Sequence, residues 1–299
     1  MRPTPTLPVR DGLSPSYLWL QPGPWRDMLS FLAERFAAVP EQTWRERLLR
    51  GEVRNQHGEA LRPESPYRSG DCIFYYRELP QGEQRIAVEE KILHLDDHLL
   101  VADKPHFLPV IPTGRFVQET LLVRLKKATG LEDLVPIHRL DRETAGVIVF
   151  SHNPHSRGRY QSMFQQRTMY KVYEAIAPLR ADLQLPLVHR SRVEEIPQQF
   201  FKMHEAPGEP NSETHISLIE ERGELGLYRL EPVTGRRHQL RVHMAALGIP
   251  IVNDLFYPDA VPVGVADDLD KPLKLLARSL FFIDPLDGSE RFFESERRL

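Results

Sequence analysis

Hydrophobic and polar positions alternate along the chain with two different periods, and each period predicts its own type of element. Apolar residues that recur every three or four positions are typical of a helix with one buried face, and five segments are predicted to be helical. Short apolar or alternating runs are typical of strands, and four segments fit that pattern. The predicted helices are 28–36, 43–50, 116–129, 157–167 and 239–247, and the predicted strands are 73–76, 147–150, 171–177 and 225–230. The polar segment 180–213 is predicted to be irregular.

This mixture of elements predicts an α+β protein with two domains. Residues 79–85 are polar and contain Pro80 and Gly82, which favours a linker at this point. We therefore predict a small N-terminal α+β domain over residues 1–85 and a larger domain over residues 86–299. With two short helices, Gly51 and a later Gly70-Asp71 step, the small domain resembles a degenerate alpha-L motif, an RNA-binding module of ribosomal proteins. An ordinary α+β cap is the alternative interpretation.

The composition fits a folded protein of the cytoplasm. Of the 299 residues, 41% are hydrophobic and 27% are charged, which predicts a sizeable core. The one cysteine, Cys72, supports neither a disulfide framework nor a cysteine-based metal site. Residues 1–16 contain no apolar signal core, and no run approaches the roughly 18 apolar residues that span a bilayer. We expect a cytoplasmic location and no membrane partner.

The charge of the chain is unevenly distributed. The formal net charge is −3 and the isoelectric point is about 6.5, which disfavours a generic nucleic-acid binder. Between Arg115 and Arg190, however, 12 Lys and Arg residues stand against 7 Asp and Glu residues. We therefore expect a basic face on an acidic protein, in the same part of the chain as the motif described next.

The segment His138-Arg139-Leu140-Asp141-Arg142-Glu143-Thr144-Ala145-Gly146 places one aspartate between two arginines, just before an apolar run. Neighbouring positive charge lowers the pKa of a carboxyl group, so this aspartate is expected to be ionised. An ionised carboxylate at the start of a buried strand can act as a nucleophile or a base, and the arginines suit a polyanion. Taken alone, the segment also fits a charged turn that leads into a core strand.

Two further segments carry candidate chemistry. Tyr173 lies in Lys171-x-Tyr173-x-Ala175, where its ring offers a stacking face and its hydroxyl can carry a proton, although strand tyrosines commonly belong to the core. The third segment runs from Thr234 to Gly248 and continues to Asp254; alone, it also fits a basic helix start on the surface. His238 and His243 are five residues apart, which does not stack them on one helix face, so we predict no metal site.

These three segments, in this order, resemble the three motifs of the RluA-type family of RNA pseudouridine synthases. The resemblance implies a mixed, mainly antiparallel sheet with flanking helices and an active cleft across it. It implies that Asp141 is the catalytic residue, that Tyr173 serves the detached uracil, and that Arg241 pairs with the aspartate. The residues that we predict to bind substrate are Arg139, Arg142, Arg236, His238 and Gln239.

The function implied by the resemblance is the isomerisation of a specific uridine in rRNA or tRNA. This reaction is redox-neutral, so no redox or group-carrier cofactor is expected. RNA is the expected partner, with no obligatory protein partner and a monomeric state. Two alternatives are a noncatalytic RNA-binding protein, which would not need Asp141, Tyr173 and Arg241 together, and a hydrolase that uses Asp141 with His138. The chain contains no G-x-S-x-G or H-E-x-x-H motif and no phosphate-binding glycine loop.

Overall fold

The computed structural model describes residues 3–77, 83, 85–197, 199–259 and 267–299. Two compact units can be distinguished by their contacts: a smaller unit of Met1–Arg85 with Ile111–Glu132, and a larger unit of Ile86–Val110 with Asp133–Leu299. The segment Ile111–Glu132 groups with the smaller unit because Val117 and Val123 pack on Leu13. Of the predicted linker 79–85, only residues 83 and 85 lie within the described residues. The division into domains 1–85 and 86–299 stays a prediction.

The smaller unit combines a three-stranded antiparallel sheet with helices. Its strands, β1 (Ser16–Trp19), β2 (Val53–Asn55) and β3 (Cys72–Tyr75), lie in the order β1-β3-β2. Its helices are α1 (Met28–Arg35), α2 (Glu41–Leu49) and α3 (Leu121–Thr129). The Asp27 side chain caps α1 by accepting the amide of Ser30 at 2.8 Å. Leu32, Trp44 and Leu48 fill the core between α1, α2 and the sheet.

Predicted and observed helices differ most at α3. The pattern placed its start at residue 116, but the helix begins five residues later because the Thr120 hydroxyl accepts the amide of Val123 as an N-cap. It ends at Gly130, whose φ of +73° is a left-handed conformation that suits glycine. The other four predicted helices are confirmed to within two residues at each end.

The larger unit is built on an 11-stranded sheet. Its elements are β4 (Lys91–Leu95), β5 (Leu99–Lys104), β6 (Val135–Pro136), β7 (Ala145–Ser151), α4 (Arg157–Gln166), β8 (Tyr170–Pro178), β9 (Leu187–Ile196), β10 (Gln199–Ala206), β11 (Ser212–Arg222), β12 (Leu225–Pro232), α5 (Gln239–Ala246), β13 (Leu275–Ile283) and β14 (Glu290–Glu294). The main order of the strands is β10-β9-β11-β12-β8-β13-β7-β5-β4, with β14 on β13 and β6 on β7. Adjacent strands pair antiparallel except β7 and β13, which run parallel, so the sheet is mixed and mainly antiparallel as expected.

The prediction of an irregular segment over 180–213 is wrong. This part of the chain forms β9, β10 and the start of β11, which pair antiparallel with one another at the edge of the sheet. Most of β9 is partly or fully exposed on both faces, and its charged residues, such as Arg190 and Glu194, interrupt any apolar alternation. Its strand conformation is stabilised by pairing with neighbouring strands, which a period-two pattern cannot report.

Two helices cover parts of the large sheet. Tyr160 and Met163 of α4 pack against Val147 and Val149 of β7, whereas α5 packs its apolar residues around β8 and β12. Strand β7 begins at a close approach to β13. There Gly146 has a φ of +111°, and a Cβ atom on it would lie 2.2 Å from the carbonyl oxygen of Ala277. No helix in the described part of the chain is both long and apolar enough to cross a bilayer.

Candidate active site

A cavity of about 550 Å³ lies within the larger unit, over strand β8. Its walls come from the loop before β7, from α4 and from the segment that leads into α5. All three predicted catalytic residues line it, together with four of the five predicted substrate-binding residues. The residues that line it include Ile137, His138, Arg139, Asp141, Phe164, Lys171, Tyr173, Arg236, His238, Gln239 and Arg241.

The loop that carries Asp141 is fixed from beneath by a buried lysine. Lys104, the last residue of β5, donates hydrogen bonds from its ammonium to three backbone carbonyl oxygens, one of which is that of Arg142 at 3.0 Å. Burial lowers the pKa of Lys104 to about 7, although the charges of Glu143 and Asp141 oppose this shift. Because the bonded carbonyl belongs to the residue that follows Asp141, Lys104 determines where the aspartate backbone lies.

His138, at the start of the motif, supports the loop. Its Nε2 accepts the amide of Val149 at 3.1 Å, and its ring stacks on Phe164 with 4.6 Å between the centroids. Burial and the charge of Lys171 lower the pKa of His138 to about 3. An imidazole that stays neutral and already uses its lone pair cannot take a proton from a substrate. This geometry disfavours the hydrolase alternative, in which His138 would act with Asp141.

Asp141 presents its carboxylate to the cavity, with 26% of its side chain exposed. Nη1 of Arg241 lies 3.4 Å from one carboxylate oxygen, and Nε2 of His238 lies 3.9 Å from the other. Burial raises the pKa of Asp141, but His238 and Arg241 outweigh burial, so the pKa is lowered overall. The carboxylate is therefore ionised at neutral pH, as a nucleophile or a base requires.

Arg241 reaches Asp141 as expected, but its closest partner is Asp254. The guanidinium is almost fully buried; Nε and Nη2 donate to the two carboxylate oxygens of Asp254 at 2.8 and 2.6 Å. Its Nη1 also lies 3.6 Å from Glu143. Burial alone would lower the pKa of Arg241, but these carboxylates raise it above its ordinary value. Sequence reasoning missed Asp254, although it is the one carboxylate that ends the third segment.

Aromatic residues complete the surroundings of the guanidinium. Its carbon lies 4.9 Å from the ring centroid of Phe256 and 5.4 Å from that of Tyr257. The amides of these two residues donate to the same oxygen of Asp254, at 2.9 and 3.2 Å. The ring of His238 stacks on Phe256, and its Nδ1 lies 3.0 Å from the Tyr257 hydroxyl. The aromatic loop therefore holds Arg241, Asp254 and His238 in one arrangement.

Tyr173 lies on β8, where its side chain packs against the core beneath α5 and also lines the cavity. Within the described residues its hydroxyl has no hydrogen-bond partner. Burial and the charge of Asp141 raise the pKa of Tyr173, so the phenol keeps its proton at neutral pH. The ring is available for stacking. The protonated hydroxyl can donate a hydrogen bond, and it must give up its own proton before it can accept another.

Four of the five predicted substrate-binding residues line the cavity, and Arg142 does not. Arg139 is exposed at the cavity wall, and its guanidinium has no partner within the described part of the chain. Arg142 does not line the cavity; it donates to both carboxylate oxygens of Asp267 at 2.7 and 2.8 Å. Arg236 lines the cavity while its Nε donates to a backbone carbonyl at 3.1 Å. Gln239 also lines it, but its amide is used by backbone and threonine groups around it.

One group of side chains in the described residues could hold a metal ion. The ring nitrogens of His189 and His243 and a carboxylate oxygen of Glu205 lie within 4.8 Å of one another. Two imidazoles with one carboxylate suit zinc. Each already has partners: His189 lies 2.7 Å from Glu205, and the ring nitrogens of His243 contact serine and threonine hydroxyls. None of the three lines the cavity.

Comparison with known proteins places these residues in a family. Residues 98–246 match the family model of RNA pseudouridylate synthase. An uncharacterized RNA pseudouridine synthase of Synechocystis sp. is 30% identical over 241 residues, which cover 79% of this chain and 81% of that protein. The dual-specificity RNA pseudouridine synthase RluA of Vibrio vulnificus is 34% identical over 203 residues, which cover 65% of this chain and 78% of that protein. The chain belongs to the RluA-type family of RNA pseudouridine synthases.

The fold of this RluA-type synthase is also that of a solved relative. Human RNA pseudouridylate synthase domain containing 1 superposes with a TM-score of 0.58 at 23% identity, over 72% of this chain and 86% of that one. The shared architecture confirms the expected sheet with flanking helices. Family membership makes the chain an isomerase enzyme that acts on RNA.

Proposed function

We propose that this synthase isomerises a specific uridine in a structured rRNA or tRNA, and that Asp141 is its essential carboxylate. The observation that supports this most is the meeting of three groups in one cavity: the ionised carboxylate of Asp141, the ring of Tyr173 and the guanidinium of Arg241. These groups come from three distant parts of the chain, so the arrangement is a product of the fold.

The chemistry assigns a task to each group. Pseudouridine formation breaks the bond between ribose C1′ and uracil N1 and joins C1′ to C5, while a proton leaves C5 and N1 gains one. Asp141 can attack the sugar as a nucleophile or remove a ribose proton as a base. The Tyr173 ring stacks on the detached uracil, and its hydroxyl relays a proton. Arg241 keeps the carboxylate ionised and oriented.

The cavity suits a uridine that has been flipped out of its helix. Enzymes that act on a base take it out of the stack into a pocket. A volume of about 550 Å³ falls within the range of small-molecule sites. Arg139, whose guanidinium at the wall has no partner in the described part of the chain, would contact phosphate or occupy the space that the flipped base leaves. Arg142 is held by Asp267 and has a supporting part in this scheme.

The proposal also covers the cofactor requirement, the cellular location and the oligomeric state of the enzyme. The isomerisation is redox-neutral and all its atoms belong to the substrate, so we propose that it needs no redox or group-carrier cofactor. Cytoplasmic location, a monomeric state and independence from a protein partner stay predictions. RNA binding by the smaller unit also stays a prediction; there Arg45 pairs with Glu41, and Arg50 pairs with Glu52.

The proposal is tested by mapping pseudouridine in total RNA from cells with and without this protein. One protein-dependent site, restored by the wild-type chain and not by Asp141→Asn, is the expected result. Purified protein incubated with RNA from the deficient cells should form pseudouridine at the same position. A noncatalytic RNA-binding protein would bind that RNA and leave every uridine unchanged, which would contradict the proposal.

A further inference from the structure

Lys171 is a cation of the cavity with no part in the proposed mechanism. It lies two residues before Tyr173 on β8, so both side chains project from the same face of the strand, roughly 7 Å apart along it. Both line the cavity. Within the described residues no hydrogen bond or ion pair engages the Lys171 ammonium. The lysine is half-buried and lines the cavity.

Among the residues that the structure describes, no carboxylate pairs with Lys171. Phe164 and Ile137 contribute apolar surface to the same wall, and the ring of His138 is neutral with its Nε2 already bonded. The charged group that acts on Lys171 most is Arg167, which has the same sign. Arg167 is exposed, and its guanidinium also has no partner within the described residues. Burial and Arg167 together lower the pKa of Lys171.

A charge taken out of water without a partner is costly, and proteins normally pair such groups or neutralise them. The other buried cations near the site follow that rule, since Arg241 has three carboxylates and Lys104 has three carbonyl oxygens. Lys171 is only half-buried, but within the described residues it lacks the partner that the rule requires, and its RNA substrate carries one negative charge per nucleotide. Its missing partner is therefore expected to come from the substrate.

We propose that Lys171, with Arg167 on its exposed side, forms a phosphate subsite that binds the backbone of the flipped nucleotide. This inference rests on the proposed function, because it takes Tyr173 as the platform for the uracil. Lys171 projects from the same face of β8 as Tyr173, roughly 7 Å along the strand, so a nucleotide whose base stacks on Tyr173 can bring its phosphate to the Lys171 ammonium. The exposed Arg167 adds positive charge near Lys171. The phosphate supplies the counter-charge that Lys171 lacks, so the contact contributes to RNA affinity.

The test compares Lys171→Gln and Lys171→Arg with wild type and with Lys271→Gln, an exposed control lysine that pairs with Asp268. The probe for binding is a fluorescein-labelled RNA stem-loop, titrated at several salt concentrations. We expect Lys171→Gln to bind roughly tenfold more weakly, as for a lost hydrogen bond to a charged group. The slope of log K against log salt should become shallower by about 0.7. Lys171→Arg should keep the wild-type slope, and so should the control.

Measurements of activity and stability distinguish a phosphate contact from a catalytic or structural role of Lys171. With RNA from the deficient cells at saturation, Lys171→Gln should form pseudouridine within about threefold of the wild-type single-turnover rate. Its melting temperature should be unchanged or higher, because an unpaired charge has been removed. An unchanged affinity and slope would overturn the phosphate subsite. So would a large loss of rate at an unchanged slope, which would place Lys171 in the proton transfers. Absence of product with the wild-type chain would instead contradict the proposed function.

Discussion

Arg241 and Lys171 line the same cavity, and they differ in how the protein treats their charge. Arg241 is enclosed by Asp254, Asp141 and Glu143, with contacts between 2.6 and 3.6 Å. Lys171 has no acceptor in the described part of the chain. The difference teaches that a cation fixed by the protein's own carboxylates serves to orient one of them. A cation left without a partner remains available to a ligand.

The two pKa shifts express the same contrast. Burial opposes the charged form of both side chains, but the carboxylates around Arg241 reverse that effect and raise its pKa. Around Lys171 nothing reverses it, and Arg167 adds to it, so the pKa is lowered. The pKa shifts of the two cations therefore differ in direction because carboxylates outweigh burial at Arg241, whereas burial acts unopposed at Lys171.

The largest expected effect comes from removing the carboxylate that Arg241 orients. Asp141→Asn keeps the size of the side chain but cannot act as an anionic nucleophile or base, so the single-turnover rate should fall by at least about a thousandfold. RNA affinity should change little. Asp182→Asn, at an exposed aspartate paired with Arg180, is the matched control. Turnover by Asp141→Asn within about tenfold of wild type would remove this residue from the chemistry.

Arg241→Lys tests whether the paired cation works through its geometry or only through its charge. Lysine keeps the charge but loses the planar fork that binds Asp254 with two nitrogens while a third faces Asp141. We expect the rate to fall by at least about a hundredfold, since one misplaced contact in a preorganised site costs roughly 2.7–4 kcal/mol. Arg222→Lys, at an exposed pair with Glu220, should behave as wild type. A nearly normal rate for Arg241→Lys would mean that charge alone suffices.

Asp254→Asn acts one step further from the substrate. It leaves Arg241 buried with a neutral partner, and the guanidinium is free to turn toward Asp141 or Glu143. We expect about a tenfold loss of rate, typical for a group that orients a functional residue. The free energy of unfolding should fall by about 3 kcal/mol, as when a buried ion pair loses a partner. Asp268→Asn on the surface should change neither quantity. A stability loss without any change in rate would make Asp254 purely structural.

The smallest effects are expected from pH. Because the pKa of Asp141 is lowered from 3.8, its carboxylate stays ionised above that value, and the rate at saturating RNA should not change through Asp141 between pH 5 and 7. The lowered pKa of Lys171 means that its charge is lost earlier as pH rises. RNA affinity should therefore weaken by up to about threefold between pH 7 and 9, and Lys171→Arg should abolish this trend. An identical trend in both proteins would assign it to another group.

The sequence supported much of this site because its motifs are local and chemically distinctive. The meeting of Asp141 with Arg241 followed from a resemblance, and the structure places them 3.4 Å apart. Asp254 was not assigned because it lies in a loop with no period, thirteen residues after Arg241. That Lys171 has no partner could not be predicted either, since such an absence depends on every residue that the fold brings near it.

The fold shows the same division between local and non-local causes. Helix α5 was predicted well because its apolar residues recur with the helical period and Gly248 follows its end. Strands β9 and β10 were missed because they are stabilised by pairing at the sheet edge. Strand β13, which lies between β7 and β8, was not predicted, although it determines how far the Asp141 loop lies from Tyr173.

That spacing depends on Gly146, five residues after Asp141. A methyl group there would overlap the carbonyl oxygen of Ala277, so β7 and β13 could no longer approach as they do. The two walls of the cavity would move apart, although no reacting group had been changed. In a mutational scan, position 146 should therefore tolerate substitution as poorly as position 141. A loss of activity in a Gly146 variant would result from the increased distance between β7 and β13, so a change of pH would not restore the activity.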